Sequence, residues 1–295
     1  VFICIIPLLY SITYTVNNTM INHTVANQND IYIWGDSQMF QGLNLELLKT
    51  NKNVYFASKH GAGVYDFLTF TENTPPNSNV LLSLSTPIQI RNKEHDRSIS
   101  YISLKSIYTL FQNNYTLKEI YLIIKKNLKP SKIFSESNYL YENNENIKLR
   151  KGRISSFTKR FSSTPIYLTD KQKILNKGLN QLVQKNVSIT FINLPLHPIL
   201  NKVMDLFPMT EEINKFENSI IDKLKITKRD SIYLNKNLEM MNDLTHLNER
   251  GATAVTKELI EILKEKNKYN MVTVKWRDSI INPYALELYN NSLTK

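Results

Sequence analysis

From Ile31 onward the chain alternates short apolar runs with amphipathic stretches. Ile31–Trp34 is uninterrupted apolar sequence and reads as a buried strand. Gln38–Lys49 carries Leu43, Leu47 and Leu48 on one side and reads as a helix. Asn53–Ala57 is a second strand, followed by a glycine-rich turn and a short helix through Tyr65 and Phe70. Val80–Leu84 is a third strand, apolar enough to belong at the centre of a sheet. Ser98–Phe111 and Leu117–Asn127 read as helices, with Pro130 closing the second. Asp170–Lys185 is helical, Ser188–Leu194 is a fourth strand, and Glu211–Leu224 is another helix. Ser231–Leu234 makes a short fifth strand, and Glu249–Lys264 is a final helix burying Ala254, Leu259, Ile260 and Leu263. Such alternation implies right-handed βαβ units. It predicts an α/β protein with a mostly parallel, about five-stranded sheet covered on both faces.

The two ends follow a different pattern. Residues 1–16 carry no charge and read as a truncated signal peptide or membrane anchor, and the polar residues 17–29 read as a linker. The domain itself is expected over residues 30–264. Within it, residues 131–165 form a polar and aromatic insertion, with Lys148, Arg150, Lys151, Arg153, Lys159 and Arg160 close together. That cluster reads as a solvated face, or as a contact for an anionic glycan or a membrane surface. Residues 265–295 form an extension whose Val272–Trp276 run either adds a strand or wraps the surface.

Composition changes this picture little. With 42% hydrophobic and 21% charged residues the chain is ordinary globular material. The net charge of +11 raises nucleic acid as a partner. Most lysines are dispersed, however, and no helix-turn-helix, zinc-finger or aromatic RNA-binding signature accompanies them, so none is expected. The single cysteine, Cys4, excludes an internal disulfide framework and a cysteine-based zinc site.

In a parallel sheet, function gathers at the carboxyl ends of the strands. Gly35-Asp36-Ser37-Gln38 lies between the first strand and the first helix. A serine there sits at a helix N-terminus, where backbone N–H groups favour developing negative charge. Asp36 or Ser37 as a mere N-cap is the plainer alternative. Asp243-Leu244-Thr245-His246-Leu247-Asn248 stands just before the last helix, and its Asp and His, three apart, can reach one rim together. Gly251 would let that helix pack closely. Weaker candidates are His197, after the fourth strand, as a substrate contact or a packed loop histidine, and His60, Arg91 and His95, as substrate contacts or, more plainly, solvated loop residues.

Together these blocks resemble the SGNH/GDSL hydrolase superfamily, whose first block is Gly-Asp-Ser and whose last is Asp-x-x-His. Both occur here in order, about 200 residues apart. The resemblance spans roughly residues 31–264 and implies a three-layer, flavodoxin-like α/β/α sandwich. It implies a triad of Ser37, His246 and Asp243, with no metal or cofactor. The oxyanion donors it implies are the Ser37 amide and Gly61 or Gly63, in Gly61-Ala62-Gly63 after the second strand. The family's third block, Gly-x-Asn-Asp, is replaced by Ser83-Leu84-Ser85-Thr86-Pro87-Ile88-Gln89, where Thr86, Gln89 or a nearby backbone N–H would supply the missing donor. Losing one such donor costs ~2.7–4 kcal/mol in the transition state. The resemblance implies acyl transfer through a covalent intermediate. With the N-terminal segment read as an anchor, the leading expectation is an extracytoplasmic, membrane-tethered esterase removing acyl groups, acetyl above all, from a surface carbohydrate. The alternatives are an O-acyltransferase using the same site and a non-catalytic glycan-binding module on a degenerate hydrolase scaffold.

Overall fold

A computed structural model describes residues 30–50, 52–58, 62–84, 116–118, 120–121, 166–207, 209–235, 237–265, 267–278, 286 and 290. The segment 1–29, the basic insertion, His60, Gly61, Thr86, Gln89, Arg91 and His95 lie outside them. Among the described residues no helix is long and apolar enough to cross a membrane.

The chain folds as an α/β/α sandwich. Its strands are β1 (Asp30–Trp34), β2 (Asn53–Phe56), β3 (Asn79–Leu82), β4 (Ser188–Asn193), β5 (Lys228–Leu234) and β6 (Tyr269–Trp276). They form one six-stranded sheet in the order β2-β1-β3-β4-β6-β5, with every pairing parallel. The sheet thus has one strand more than the sequence pattern indicates. The extra strand comes from the C-terminal extension, where Tyr269–Trp276 enters between β4 and β5 and pairs with both. The sheet-bearing domain therefore runs past Lys264 to at least Trp276.

Alternation along the strands divides the core. Ile31 and Ile33 of β1, Leu81 of β3 and Val272 of β6 face one layer, made by α1 (Ser37–Gly42), α2 (Leu45–Lys49) and α8 (Glu249–Ile262). Tyr32 and Trp34 of β1, Val80 and Leu82 of β3, and Ile189 and Phe191 of β4 face the other. That side is covered by α3 (Val64–Asn73), α4 (Ile166–Gln184) and α6 (Met209–Leu224). Trp34 packs on Phe67 with ring centroids 4.8 Å apart. Two short helices, α5 (Pro198–Met204) and α7 (Asn237–Met240), complete the described elements.

The helix expected over Gln38–Lys49 is interrupted at Leu43 and Asn44. Asn44 caps α2 by accepting from the Leu47 amide at 3.3 Å. Its own amide donates to Thr256 Oγ1 at 2.8 Å and its Nδ2 to Thr253 Oγ1 at 3.0 Å. These bonds to α8 redirect the chain, and a tertiary tie of this kind overrides local periodicity.

The sheet begins in the order 2-1-3-4, so the connections reverse direction between β1 and β3. Open α/β sheets bind ligands in the crevice beyond the strand carboxyl ends at such a reversal. Ser37 stands there.

Because β6 holds β4 and β5 together, a chain ending at Lys264 should lack a cooperative unfolding transition in urea, followed by circular dichroism. A sharp transition at the full-length midpoint would show that β6 is dispensable.

Candidate active site

The site begins with a division of labour between two adjacent residues. Asp36 is the N-cap of α1, and its Oδ1 accepts from the Gln38 amide at 3.0 Å. Ser37 is thereby the first helical residue, and its hydroxyl is not needed for capping. Gly35 is required by contact, since a Cβ there would lie 2.4 Å from Met39 Cβ and 3.2 Å from Ser83 Cβ. The small residue lets α1 fold back directly on the end of β1.

The second half of the site is the loop from Met241 to Asn248. A bridge between Met241 and Leu247, with the Asn242 amide donating to the His246 carbonyl at 2.8 Å, closes it into a narrow reversal. Inside that reversal Asp243 Oδ1 accepts from the Thr245 amide at 2.7 Å, the Thr245 hydroxyl at 2.9 Å and the His246 amide at 3.0 Å. The same carboxylate lies 2.9 Å from His246 Nδ1 through both oxygens. Thr245 Oγ1 is also 3.0 Å from Nδ1. A proton on Nδ1 therefore meets a carboxylate, which leaves Nε2 as the acceptor nitrogen. His246 Nε2 lies 2.8 Å from Ser37 Oγ.

Three anchors hold the loop against the sheet. Gln38 Nε2 donates to the Thr245 carbonyl at 3.0 Å, and the His197 amide donates to the Leu244 carbonyl at 3.0 Å. At its far end Asn248 caps α8, with Oδ1 accepting from the Gly251 amide at 3.1 Å and Nδ2 donating to the Glu239 carbonyl at 2.6 Å. A Cβ on Gly251 would lie 2.4 Å from the Met240 carbonyl oxygen, so close packing excludes a larger residue. His246 is buried and Ser37 is half-buried.

The remaining candidates fare differently. The Gly63 amide donates to Asp66 Oδ2 at 3.0 Å as the cap of α3. It is therefore committed to the helix, and of the two glycines only Gly61 keeps the donor role open. His197 has no exposed surface. Its Nδ1 accepts from the Ile199 amide at 3.2 Å, which makes it the N-cap of α5. Fully buried, it is a packed loop histidine and not a substrate contact. Burial lowers its pKa from 6.5 to about 4. Thr245 and Gln38, which orient His246 and its loop, were not singled out from sequence. Their signal was only position, one residue before the histidine and one after the serine. No group of three or more metal-ligating side chains occurs among the described residues.

Compared with protein-family models and with curated proteins, the chain shows no match.

His197 stays neutral in the folded chain while its unfolded counterpart protonates below pH 6.5. The folded state consequently loses about 1.4 kcal/mol for each pH unit of acidification from there down to about 4. His197→Asn keeps an N-cap acceptor and removes this titration. Urea unfolding of both proteins from pH 7 to 4 should show the variant gaining relative stability towards acid. A constant difference would mean that His197 is not held neutral by burial.

Proposed function

We propose that the protein is a serine esterase of the SGNH type, acting on acyl esters, acetyl above all, of a surface carbohydrate. The observation that carries this reading is the continuous relay from Asp243 through His246 to Ser37, with heavy-atom separations of 2.9 and 2.8 Å. Hydrogen-bonded nucleophile, base and orienting carboxylate define such a site irrespective of fold. The fold supports the reading through the position of Ser37 beyond β1, at the reversal of strand order.

The chemistry runs in two halves. Ser37 Oγ attacks the ester carbonyl as His246 Nε2 takes the hydroxyl proton. The tetrahedral oxyanion is met by the Ser37 amide, which at the first helical position has no intrahelical carbonyl to bond. Gly61 is the second donor in this scheme, and Thr86 or Gln89 the third. Collapse breaks the bond to the leaving alcohol, which takes the proton from His246, and leaves the acyl group on Ser37. Water, activated by His246, then releases the acid and restores the serine. A sugar hydroxyl in place of water makes the same site an acyltransferase. Asp243 holds the Nδ1 proton throughout and stabilises the transient imidazolium. The uncharged segment 1–16 supports an extracytoplasmic, membrane-tethered location.

A degenerate scaffold would have no use for the converging bonds that aim His246 Nε2 at Ser37, so catalysis is preferred to glycan binding alone. Ser37→Ala should lower turnover of an aryl acetate by at least ~10³-fold, His246→Ala by a similar factor, and the double variant little further. Wild-type protein inert towards aryl acetates and acetylated sugars alike would overturn the esterase reading.

A further inference from the structure

A cleft of about 390 Å³ opens where the carboxyl ends of β4 and β6, on the same edge of the sheet as the Ser37 end of β1, meet α5 and α6. Its wall includes Gln38, the residue after the nucleophile, whose side chain also holds the loop of His246. Another wall residue, Trp276, donates from Nε1 to the Leu196 carbonyl at 2.9 Å, and the adjoining His197 amide bonds the Leu244 carbonyl. The cleft and the catalytic loop are thus built on the same bonded frame.

The lining is rich in neutral donors and acceptors. Asn193 comes from β4, Asn201 from α5, and Asn214 and Glu217 from α6. No hydrogen bond to another residue engages any of these four side chains among the described residues. Burial of the Glu217 carboxyl raises its pKa to about 7, so near neutrality a large fraction is uncharged. A protonated carboxyl and three amides each offer both a donor and an acceptor, as sugar hydroxyls do. Trp276 and the Leu194–Leu196 turn add apolar surface suited to a ring face. Among the described residues the cleft's only cation is Lys275, set among neutral amides, so a phosphate is poorly matched. A hydrocarbon chain would cover Asn193 and Glu217 without satisfying them.

We infer that this cleft binds the neutral sugar unit on the alcohol side of the ester, holding its hydroxyls on Asn193, Asn201, Asn214 and Glu217. The inference rests on Ser37 being an esterase nucleophile, and its test separates the two claims. Asn214 is exposed, so Asn214→Trp fills the cleft without disturbing the core, and Glu217→Leu removes the carboxyl. Saturation-transfer NMR with a panel of methyl hexopyranosides and pentopyranosides reads binding without any turnover. At least one glycoside should show transfer from wild-type and Ser37→Ala protein, and lose it in both cleft variants. On mono-acetylated glycosides the cleft variants should lose at least about tenfold in kcat/KM, mainly through KM. Hydrolysis of 4-nitrophenyl acetate, whose alcohol has no sugar hydroxyls, should stay within about twofold of wild type. No glycoside transfer in wild type, or transfer that survives both variants, would overturn the inference even if aryl acetate is hydrolysed. A preference for longer 4-nitrophenyl acyl esters that vanishes in Asn214→Trp would also overturn it, by making the cleft an acyl pocket. Glycoside transfer with the expected losses, but no hydrolysis of any ester, would support sugar binding and sink the esterase reading.

Discussion

The site depends on one carboxylate oxygen. Asp243 Oδ1 gathers the Thr245 amide and hydroxyl, the His246 amide and the His246 ring within 3.0 Å. The first three bonds shape the loop, and the fourth fixes the imidazole. A single anionic acceptor thus sets both backbone and tautomer, and charge-assisted bonds of this kind are about twice as strong as neutral ones. If that oxygen lost its acceptor character the loop and the ring would be released together. Folding and reactivity are coupled at this residue.

Around it, local sequence requirements and tertiary packing agree. Asp36 takes the cap so that Ser37 is left to face His246. Asn248 fastens the other end of the loop to α8, and Gly251 allows the approach of Met240. Gln38 closes the circuit between the serine's helix and the histidine's loop. The same side chain forms a wall of the amide-rich cleft, so a ligand held there would lie against the structure that positions the base. Orientation of a substrate relative to a fixed nucleophile is a large source of catalytic power.

Much of this was legible in the chain because the bonds involved are short in sequence. Capping by Asp36, the Asp243–His246 reversal and the close approach at Gly251 each act over two to eleven residues, so residue type and spacing reveal them. The strands through β5 were legible for a similar reason, as each carries a short apolar run bounded by turns. What escaped was assembled at long range. The Val272–Trp276 run could be read as a strand, but not its place between β4 and β5, because that choice is made by pairing with distant strands. The break at Asn44 depends on Thr253 and Thr256 of α8. His197 has the outward signs of a site residue and instead became a buried cap, since burial is decided by packing. The cleft draws its amides and carboxyl from three separate elements and has no motif.

The most direct test of the central claim is whether His246 activates Ser37. Incubation with a serine-directed fluorophosphonate, followed by peptide mass spectrometry, reads this without knowledge of the natural ester. The account predicts a single adduct on Ser37 in the wild type and labelling slowed by orders of magnitude in His246→Ala. Equal labelling of Ser37 in both proteins, or an adduct on another residue alone, would contradict it.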